Sequence, residues 1–346
     1  MSIYVKDADG NRTKVAGIGL PGPAGKSAYQ YAVEGGFSGT EDEFRALMGV
    51  RSNQNLLDNW YFADPVNQKG QTVYQEGGYT IDGWYCGGGL AVSVESGWLK
   101  LNNSSAENKF FIQKLEPELM DNVAGNKTAL SFLYKITGAS SQFSLRYFHD
   151  EKYINVAFGI MVNSNGQTGL CVAGSPEIPS SKVGWQVLVQ VMPGSTLYLK
   201  AVKLELGPVQ TLAHKEGDTW VLNDPPPDKA LELLKCQRYM FVIRNTSGVN
   251  PGVGWGVAND SSTMSIDIPV PISMRAVPSV EMSGSWFLLG LGLSFEAESH
   301  TIYTRGYSQN TVSTAIAGFS GLEVGKAVSL IANNDPSAKI ILDANL

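Results

Sequence analysis

LSFLYKITGASSQFSLRY, residues 130–147, is the stretch on which the fold class turns. Leu130, Phe132, Tyr134 and Ile136 take alternate positions, with polar Ser131 and Lys135 between them. Beyond a Gly-Ala-Ser-Ser break, Phe143, Leu145 and Tyr147 alternate again. Successive side chains of a strand point to opposite faces, so each run predicts a strand with one buried face. The pattern extends both ways. Val92 and Val94 alternate, and Trp98-Leu99-Lys100-Leu101 follows a Ser96-Gly97 turn. Val187, Val189 and Val191 alternate, as do Val202, Leu204 and Leu206 around Lys203 and Glu205. Short period-two runs separated by Gly, Asn and Ser turns predict antiparallel sheets, and so many of them over residues 51–222 predict a two-sheet jelly roll.

A second set of runs follows. Met264, Ile266, Ile268, Val270 and Ile272 alternate strictly, interrupted by Pro269 and Pro271. Proline cannot donate to a ladder, so this run predicts an edge strand or one whose outer face makes no ladder. Val312, Thr314 and Ile316 alternate, as do Val328 and Leu330, and AKIILDANL closes the chain as a final strand. Residues 241–346 are expected to form a smaller β-sandwich.

Between the two lies DPPPDKALELLKCQRY, residues 224–239. Pro225 to Pro227 stop whatever precedes them, and Asp228 is the expected N-cap, its carboxylate taking a free amide of the first turn. Ala230, Leu231, Leu233 and Leu234 spread over a broad apolar arc rather than one stripe. A helix this short depends on packing. The arc admits two readings: a connecting helix laid on one sheet of a monomer, or a helix shared between the chain's own β-domain and the same helix of neighbouring subunits.

The first 50 residues differ in kind. Ile3 to Val15 predicts a hairpin turning at Asp9-Gly10. Gly19, Gly22 and Gly25, with Pro21 and Pro23 between, form a short collagen-like fragment or a stiff Pro/Gly linker. The same stretch nearly fits a phosphate-binding loop, but Leu20 stands where its first glycine is required, which excludes nucleotide binding there. Ser27 to Glu34 predicts a helix closed by Gly35-Gly36. Thr40 to Met48 predicts another, with a Thr40/Glu43 capping box and an apolar face of Phe44, Leu47 and Met48. So small a pair needs something to dock on.

Composition narrows the function. The chain has 346 residues, 17% charged, with 38 glycines and a net charge of −6. An acidic chain without a basic block is not built to neutralise phosphates, so nucleic acid is not an expected partner. No apolar run reaches the length of a membrane span, and the polar start MSIYVKDADGNRTK has no secretory h-region. Cys86, Cys171 and Cys236 lack metal-ligand or redox spacing and are expected to be buried thiols of a chain made in a reducing cytoplasm. His149, His214 and His300 are scattered, with His149-Asp150-Glu151 expected as a turn. No nucleophile elbow, zinc helix or EF-hand loop is present, and Glu116 and Glu205 form no identifiable glycosidase pair. No enzyme and no cofactor are expected.

Binding is the better expectation. Sugars present CH faces that stack on exposed aromatic rings, and nearby polar groups hold their hydroxyls. Trp84, Tyr85 and Trp98 lie by glycine-rich turns in the middle region, and Trp255, Trp286, Tyr303 and Tyr307 do so in the C-terminal one. Trp255 in GVGWGVAN and Trp286 in SGSW are the favoured pair.

A family resemblance joins these features. NLLDNWYFADPVNQKG (residues 55–70) and LYLKAVKLELGPVQT (residues 197–211) resemble the two ends of carbohydrate-binding-module-like jelly rolls, in particular those of phage and prophage tail proteins. GKSAYQYAVEGGFSGTEDEFRALMG (residues 25–49) is similar to the element preceding receptor-binding regions of tail fibres. The proline-led helix ending KCQRYM and the segment PISMRAVPSVEMSG (residues 271–284) resemble the parts that follow. The resemblance implies a homotrimeric phage tail fibre or receptor-binding protein of a virion tail or related contractile particle. Residues 1–50 would attach to tail or baseplate proteins, 51–222 would be the jelly roll, 223–240 the helix at the trimer axis, and 241–346 the tip that meets a bacterial surface polysaccharide. It also allows a structural calcium ion in the jelly roll, which no sequence pattern indicates. A purely structural tail component and a glycan-degrading tail enzyme are the alternatives.

Overall fold

The computed structural model describes residues 3–6, 8–16, 27–41, 44, 53–75, 77–246, 252–290, 293–296, 301–308 and 310–346. The chain is mainly β and divides into two compact units, Met1–Arg51 and Ser52–Leu346.

In the first unit, β1 (Ile3–Lys6) and β2 (Arg12–Ala16) pair antiparallel across a turn in which Gly10 has φ +86°. Helix α1 (Ala28–Glu34) is capped as its sequence dictates. The Gln30 amide donates to Ser27 Oγ (3.2 Å) and the Ser27 amide to Gln30 Oε1 (2.8 Å). Gly35 and Gly36 end it, Gly36 at φ +104°. Rings of Tyr29, Phe37 and Phe44 meet with centroids 5.6–6.3 Å apart. The collagen-like triplets, Glu43, Leu47 and Met48 lie outside the described residues.

The second unit opens with the jelly roll. Its elements are β3 (Val73–Tyr74), β4 (Gly78–Tyr79), β5 (Trp84–Gly87), β6 (Ala91–Glu95), β7 (Trp98–Asn103), β8 (Lys109–Lys114), α2 (Pro117–Asn122), β9 (Thr128–Thr137), β10 (Ser141–His149), β11 (Lys152–Met161), β12 (Gly169–Gly174), β13 (Val183–Val191) and β14 (Ser195–Leu206). Two six-stranded antiparallel sheets result, ordered β11-β10-β13-β8-β5-β4 and β12-β9-β14-β7-β6-β3. The predicted alternation holds in most strands: Leu130, Phe132 and Ile136 of β9 and Phe143 and Leu145 of β10 are buried in one core. Two hairpin turns carry both central residues in the left-handed region that a two-residue loop requires: Ser96-Gly97 (φ 49° and 72°) and Asp150-Glu151 (φ 48° and 62°). Trp84 lies at the centre of the core, stacked on Phe111 at 4.8 Å, its indole N–H donating to the Asn59 carbonyl (3.2 Å).

β14 departs from the sequence reading. Lys203 and Glu205 were expected to face solvent, yet both are fully buried, while Leu206 is exposed. An irregularity between Leu199 and Ala201 shifts the register, and residues 207–224 then cover the outer side of the strand. There Lys203 Nζ donates to Asp224 Oδ2 (2.6 Å) and Thr211 Oγ1 (2.9 Å), and Glu205 accepts the Thr211 amide (2.6 Å). Charges survive burial only when paired and hydrogen-bonded, and this cluster supplies both.

A hairpin, β15 (Ala213–Glu216) and β16 (Thr219–Leu222), leads to α3 (Lys229–Gln237). Asp228 caps α3 as expected, accepting from the amides of Ala230 (2.8 Å) and Leu231 (3.2 Å). The side turned to the chain's own sheets carries Glu232 and Cys236, both buried. Glu232 accepts the Asn59 amide, and Lys235 pairs with it at 3.2 Å. Ala230, Leu231 and Leu234 are exposed and Leu233 is half-buried. The helix is therefore held by polar contacts and leaves most of its apolar arc uncovered by its own chain.

The C-terminal sandwich comprises β17 (Met240–Arg244), β18 (Gly252–Ala258), β19 (Thr263–Pro269), β20 (Ser279–Ser283), β21 (Trp286–Gly290), β22 (Leu293–Glu296), β23 (Thr301–Ser308), β24 (Thr311–Ala317), β25 (Ala327–Ala332) and β26 (Lys339–Asp343). A three-stranded sheet, β17-β26-β20, packs on a seven-stranded one, β22-β21-β25-β18-β19-β24-β23, around a second core. β19 is interior, not an edge: it lies between β18 and β24. Its prolines are tolerated because pairing to β18 ends at Gly256↔Ile266, leaving Pro269 a neighbour on the β24 side alone. Gln68 ties the two sandwiches, donating from Nε2 to Asp82 Oδ2 (2.7 Å) and the Met240 carbonyl (2.6 Å) and accepting the Val242 amide (3.3 Å). Among the described residues no helix is long and apolar enough to cross a membrane.

Candidate functional site

The outer face of the seven-stranded sheet gathers part of what the sequence scattered. In β18, GVGWGVA, the inward positions Gly254 and Gly256 carry no side chain, and Trp255 and Val257 face outward, while Val253, at a register irregularity, packs on the core. The core above them is filled from the neighbouring strand. A Cβ on Gly256 would fall 2.4 Å from the Met264 methyl, and one on Gly254 3.3 Å from the end of Ile266. Trp255 thus stands at mid-sheet with 72% of its surface exposed, and among the described residues no ring or cation covers it. Its partner on β25 is Ser329. On the other side are small polar groups fixed to each other: Ser313 Oγ donates to Asp267 (2.5 Å), and Arg305 (2.5 Å) and Asn259 (2.7 Å) donate to Ser265 Oγ. Tyr303, half-exposed, lies on the same face opposite Ala315, which pairs in turn with Ser265. At a strand spacing near 4.8 Å, the two rings are about 15 Å apart. A flat ring beside fixed hydroxyls, a carboxylate and a guanidinium can stack on a sugar and hold its hydroxyls.

Other predicted aromatics do not join this face. Trp286 is 1% exposed and faces the core, its N–H donating to the Ser283 carbonyl (2.9 Å). Tyr307 packs inward against the core, its hydroxyl on the Met274 carbonyl (2.7 Å). Trp84 is wholly buried, for the same reason that Trp286 is: its strand parity points it between the sheets. Trp98 is half-buried, with Lys135 over its ring at 4.3 Å and Lys200 at 5.4 Å, so its face is occupied. Tyr85 faces outward on the first jelly-roll sheet, edge-on to Tyr79.

That same sheet carries a group the sequence reading passed over. Outward residues of β10 are Gln142, Ser144, Arg146 and Phe148, the opposite parity to Phe143 and Leu145. Arg146 lies over the Tyr153 ring at 4.1 Å, and Phe148 meets that ring edge-on at 5.2 Å. The Gln186 amide, with its oxygen toward Arg146, accepts from Nε (2.8 Å) and Nη2 (3.0 Å). Phe158 and Ile160 of β11 are each 50% exposed on this face. The signal was present: LRYFHDEKYINVAFGI places aromatic residues and an arginine at the positions the core does not use.

Among the described residues the candidate catalytic groups do not converge. Glu205 is locked to Thr211 and Lys203, and Glu116 pairs with Arg238 at 3.2 Å. His149 lies against Asp150 in the β10–β11 turn. Cys86, Cys171 and Cys236 are free and buried, and burial pushes the Cys86 thiol up to about 11, which leaves it unreactive. Among the described residues no cluster of His, Cys, Asp and Glu is arranged to hold a metal ion.

No family model matches the chain, and no curated protein matches it. Several solved structures similar to it are carbohydrate-binding modules. The C-terminal family 22 module of Clostridium thermocellum Xyn10B is 15% identical, covering 42% of this chain and 98% of its own, with a TM-score of 0.29. A family 22 xylan-binding domain from Paenibacillus barcinonensis is 15% identical over 45% of this chain and 96% of its own, at 0.29. A family 4 module is 14% identical over 43% and 99%, at 0.30. Likeness of this degree assigns this chain no ligand.

Proposed function

We propose that the chain is a non-catalytic glycan-binding protein, and that it serves as a homotrimeric tail fibre or receptor-binding protein of a virion tail, attached to the tail or baseplate through residues 1–50. The observation that carries the binding reading is Trp255: a large ring with 72% of its surface exposed in the middle of a sheet, flanked by fixed polar groups. A buried or rim position would need no ligand to explain it; a central, bare indole costs solubility unless it is used. Supporting self-association are Ala230, Leu231 and Leu234, which the chain itself leaves uncovered.

The test is binding of the purified chain to an array of bacterial surface polysaccharides. Trp255→Ala is expected to lower affinity about tenfold or more with folding unchanged, and Tyr303→Ala to lower it less. Point variants are preferable to removing residues 241–346, because Gln68 bonds into that sandwich. No binding to any polysaccharide would favour a structural spacer, and steady turnover of a polysaccharide would overturn the non-catalytic reading. Light scattering should give a trimer, and Leu231→Glu should break it; a monomeric wild type removes the fibre reading.

A further inference from the structure

We infer that the outer face of the β11-β10-β13-β8 sheet is a second binding site, and that it takes an anionic sugar unit whose carboxylate or phosphate pairs with Arg146. It rests on the glycan-binding reading for the class of ligand, but not on Trp255 for its place.

Arg146 is a half-buried cation with which no carboxylate of the described residues pairs. Its neighbours fix it without neutralising it: Tyr153 below the plane at 4.1 Å, and the Gln186 oxygen at 2.8 and 3.0 Å from Nε and Nη2. Burial draws the guanidinium below its ordinary range, with Tyr153 opposing. A guanidinium anchored through one edge keeps its remaining N–H groups for a planar two-oxygen anion. Across Gln186 on the next strand lies Lys114, exposed, whose ammonium donates to Leu346 O and is engaged there rather than at Arg146. The carboxylates of this hairpin, Asp150 and Glu151, sit in its turn, Asp150 against His149 at 3.4 Å.

Beside Arg146 the apolar side chains of β11 are interleaved with polar ones of β10, a mixture that suits the CH faces and hydroxyls of a sugar. Ser144 pairs with Phe158 across β10–β11, and Gln142 pairs with Ile160 on one side and Gln190 on the other. Phe158 and Ile160 are therefore each set beside an amide or hydroxyl, while Phe148, Tyr153 and Val183 meet one another at the hairpin end, next to Arg146. Arg146 and Ser144 are two residues apart on one strand, about 6.7 Å, so an anionic unit at Arg146 places its neighbour over Phe158.

The experiment is titration of the full chain carrying Trp255→Ala, so that the C-terminal face is silent, with polygalacturonate, its carboxyl-reduced neutral form, and a glycerol-phosphate polymer. Polygalacturonate or the phosphate polymer is expected to bind, the better of the two naming the anion. Carboxyl reduction and Arg146→Gln should each weaken polygalacturonate about tenfold or more, with Arg146→Lys in between, and added salt should weaken the charged polymers only. Equal affinity for the reduced polymer, or unchanged binding by Arg146→Gln with an unchanged melting temperature, overturns the inference. So does dissociation of an oligomer by Phe158→Asp, which would make the face a subunit contact. If Trp255→Ala abolishes binding to every polymer, this inference fails while the C-terminal reading stands; if anion binding persists, the inference survives whatever Trp255 does.

Discussion

Trp84 and Trp255 come from sequences that look alike, WYCGGG and GVGWGVA, yet one is wholly buried and the other is 72% exposed. Glycine beside the tryptophan does not distinguish them; its parity does. In β5 the glycine Gly87 shares the outer face with Tyr85, and Trp84 and Cys86 point into the core. In β18 Gly254 and Gly256 take the core side, so Trp255 between them is turned to solvent. The difference predicts opposite costs for the same change. Trp84→Ala should destabilise by about 3–5 kcal/mol, since it empties the space between Phe62 and Phe111. Trp255→Ala should stay within about 0.5 kcal/mol, as an exposed side chain away from any buried network. Urea midpoints of the two variants would break the comparison if they moved together.

The glycines sharpen it at a smaller scale. A Cβ on Gly256 would sit 2.1 Å from the Ser265 carbonyl oxygen, which is backbone and cannot swing aside. Gly256→Ala is expected to cost about 1–3 kcal/mol, as overpacking does. Gly87 has its nearest neighbour, Phe110 Cβ, at 3.5 Å, an ordinary contact. Gly87→Ala should therefore change stability by less than about 0.5 kcal/mol. If both alanines are tolerated, β18 does not owe its outward tryptophan to packing of β19 over its glycines.

Much of this was legible in the residues, and the rest was hidden for an identifiable reason. Strand alternation gave the two sandwiches, the Ser96-Gly97 and Asp150-Glu151 turns, and the capped start of α3, because each depends on residues near in sequence. What it missed depends on partners far away. Lys203 and Glu205 are buried because Thr211 and Asp224 fold over them, and Glu232 because Asn59 waits opposite. Of the seven aromatics singled out, Trp255 and Tyr303 share a face and Trp84 and Trp286 belong to cores, a split set by parity relative to the second sheet. Arg146 and Tyr153 give no alternation signal, because they lie on the outward side of β10 and β11 and meet only through the pairing of those strands and β13.

Carboxylates carry the same contrast into pH dependence, with the smallest expected effect. In the jelly roll Asp82 is fully buried, and burial raises it above the usual carboxylate range despite hydrogen bonds from the Gln68 side chain and amide. Its folded form takes a proton more readily than the unfolded chain does. That stabilisation is complete below the unfolded value of 3.8 and is lost as pH rises through the raised folded value. In the C-terminal sandwich Asp335 lies at the surface, held below the usual range by the Ser337 hydroxyl (2.6 Å) and the amides of Ser285 and Ser337. Its contribution is present above 3.8 and disappears as pH falls through the lowered folded value. The stability gap between wild type and Asp82→Asn should therefore move toward wild type as acid is added from neutral pH, and stop changing near 3.8. The gap to Asp335→Asn should hold steady to that point and then move toward the variant. Paired denaturant titrations across that range would show two curves bending in opposite senses. Curves bending alike would mean that burial on one side and turn hydrogen bonds on the other do not set these two groups apart.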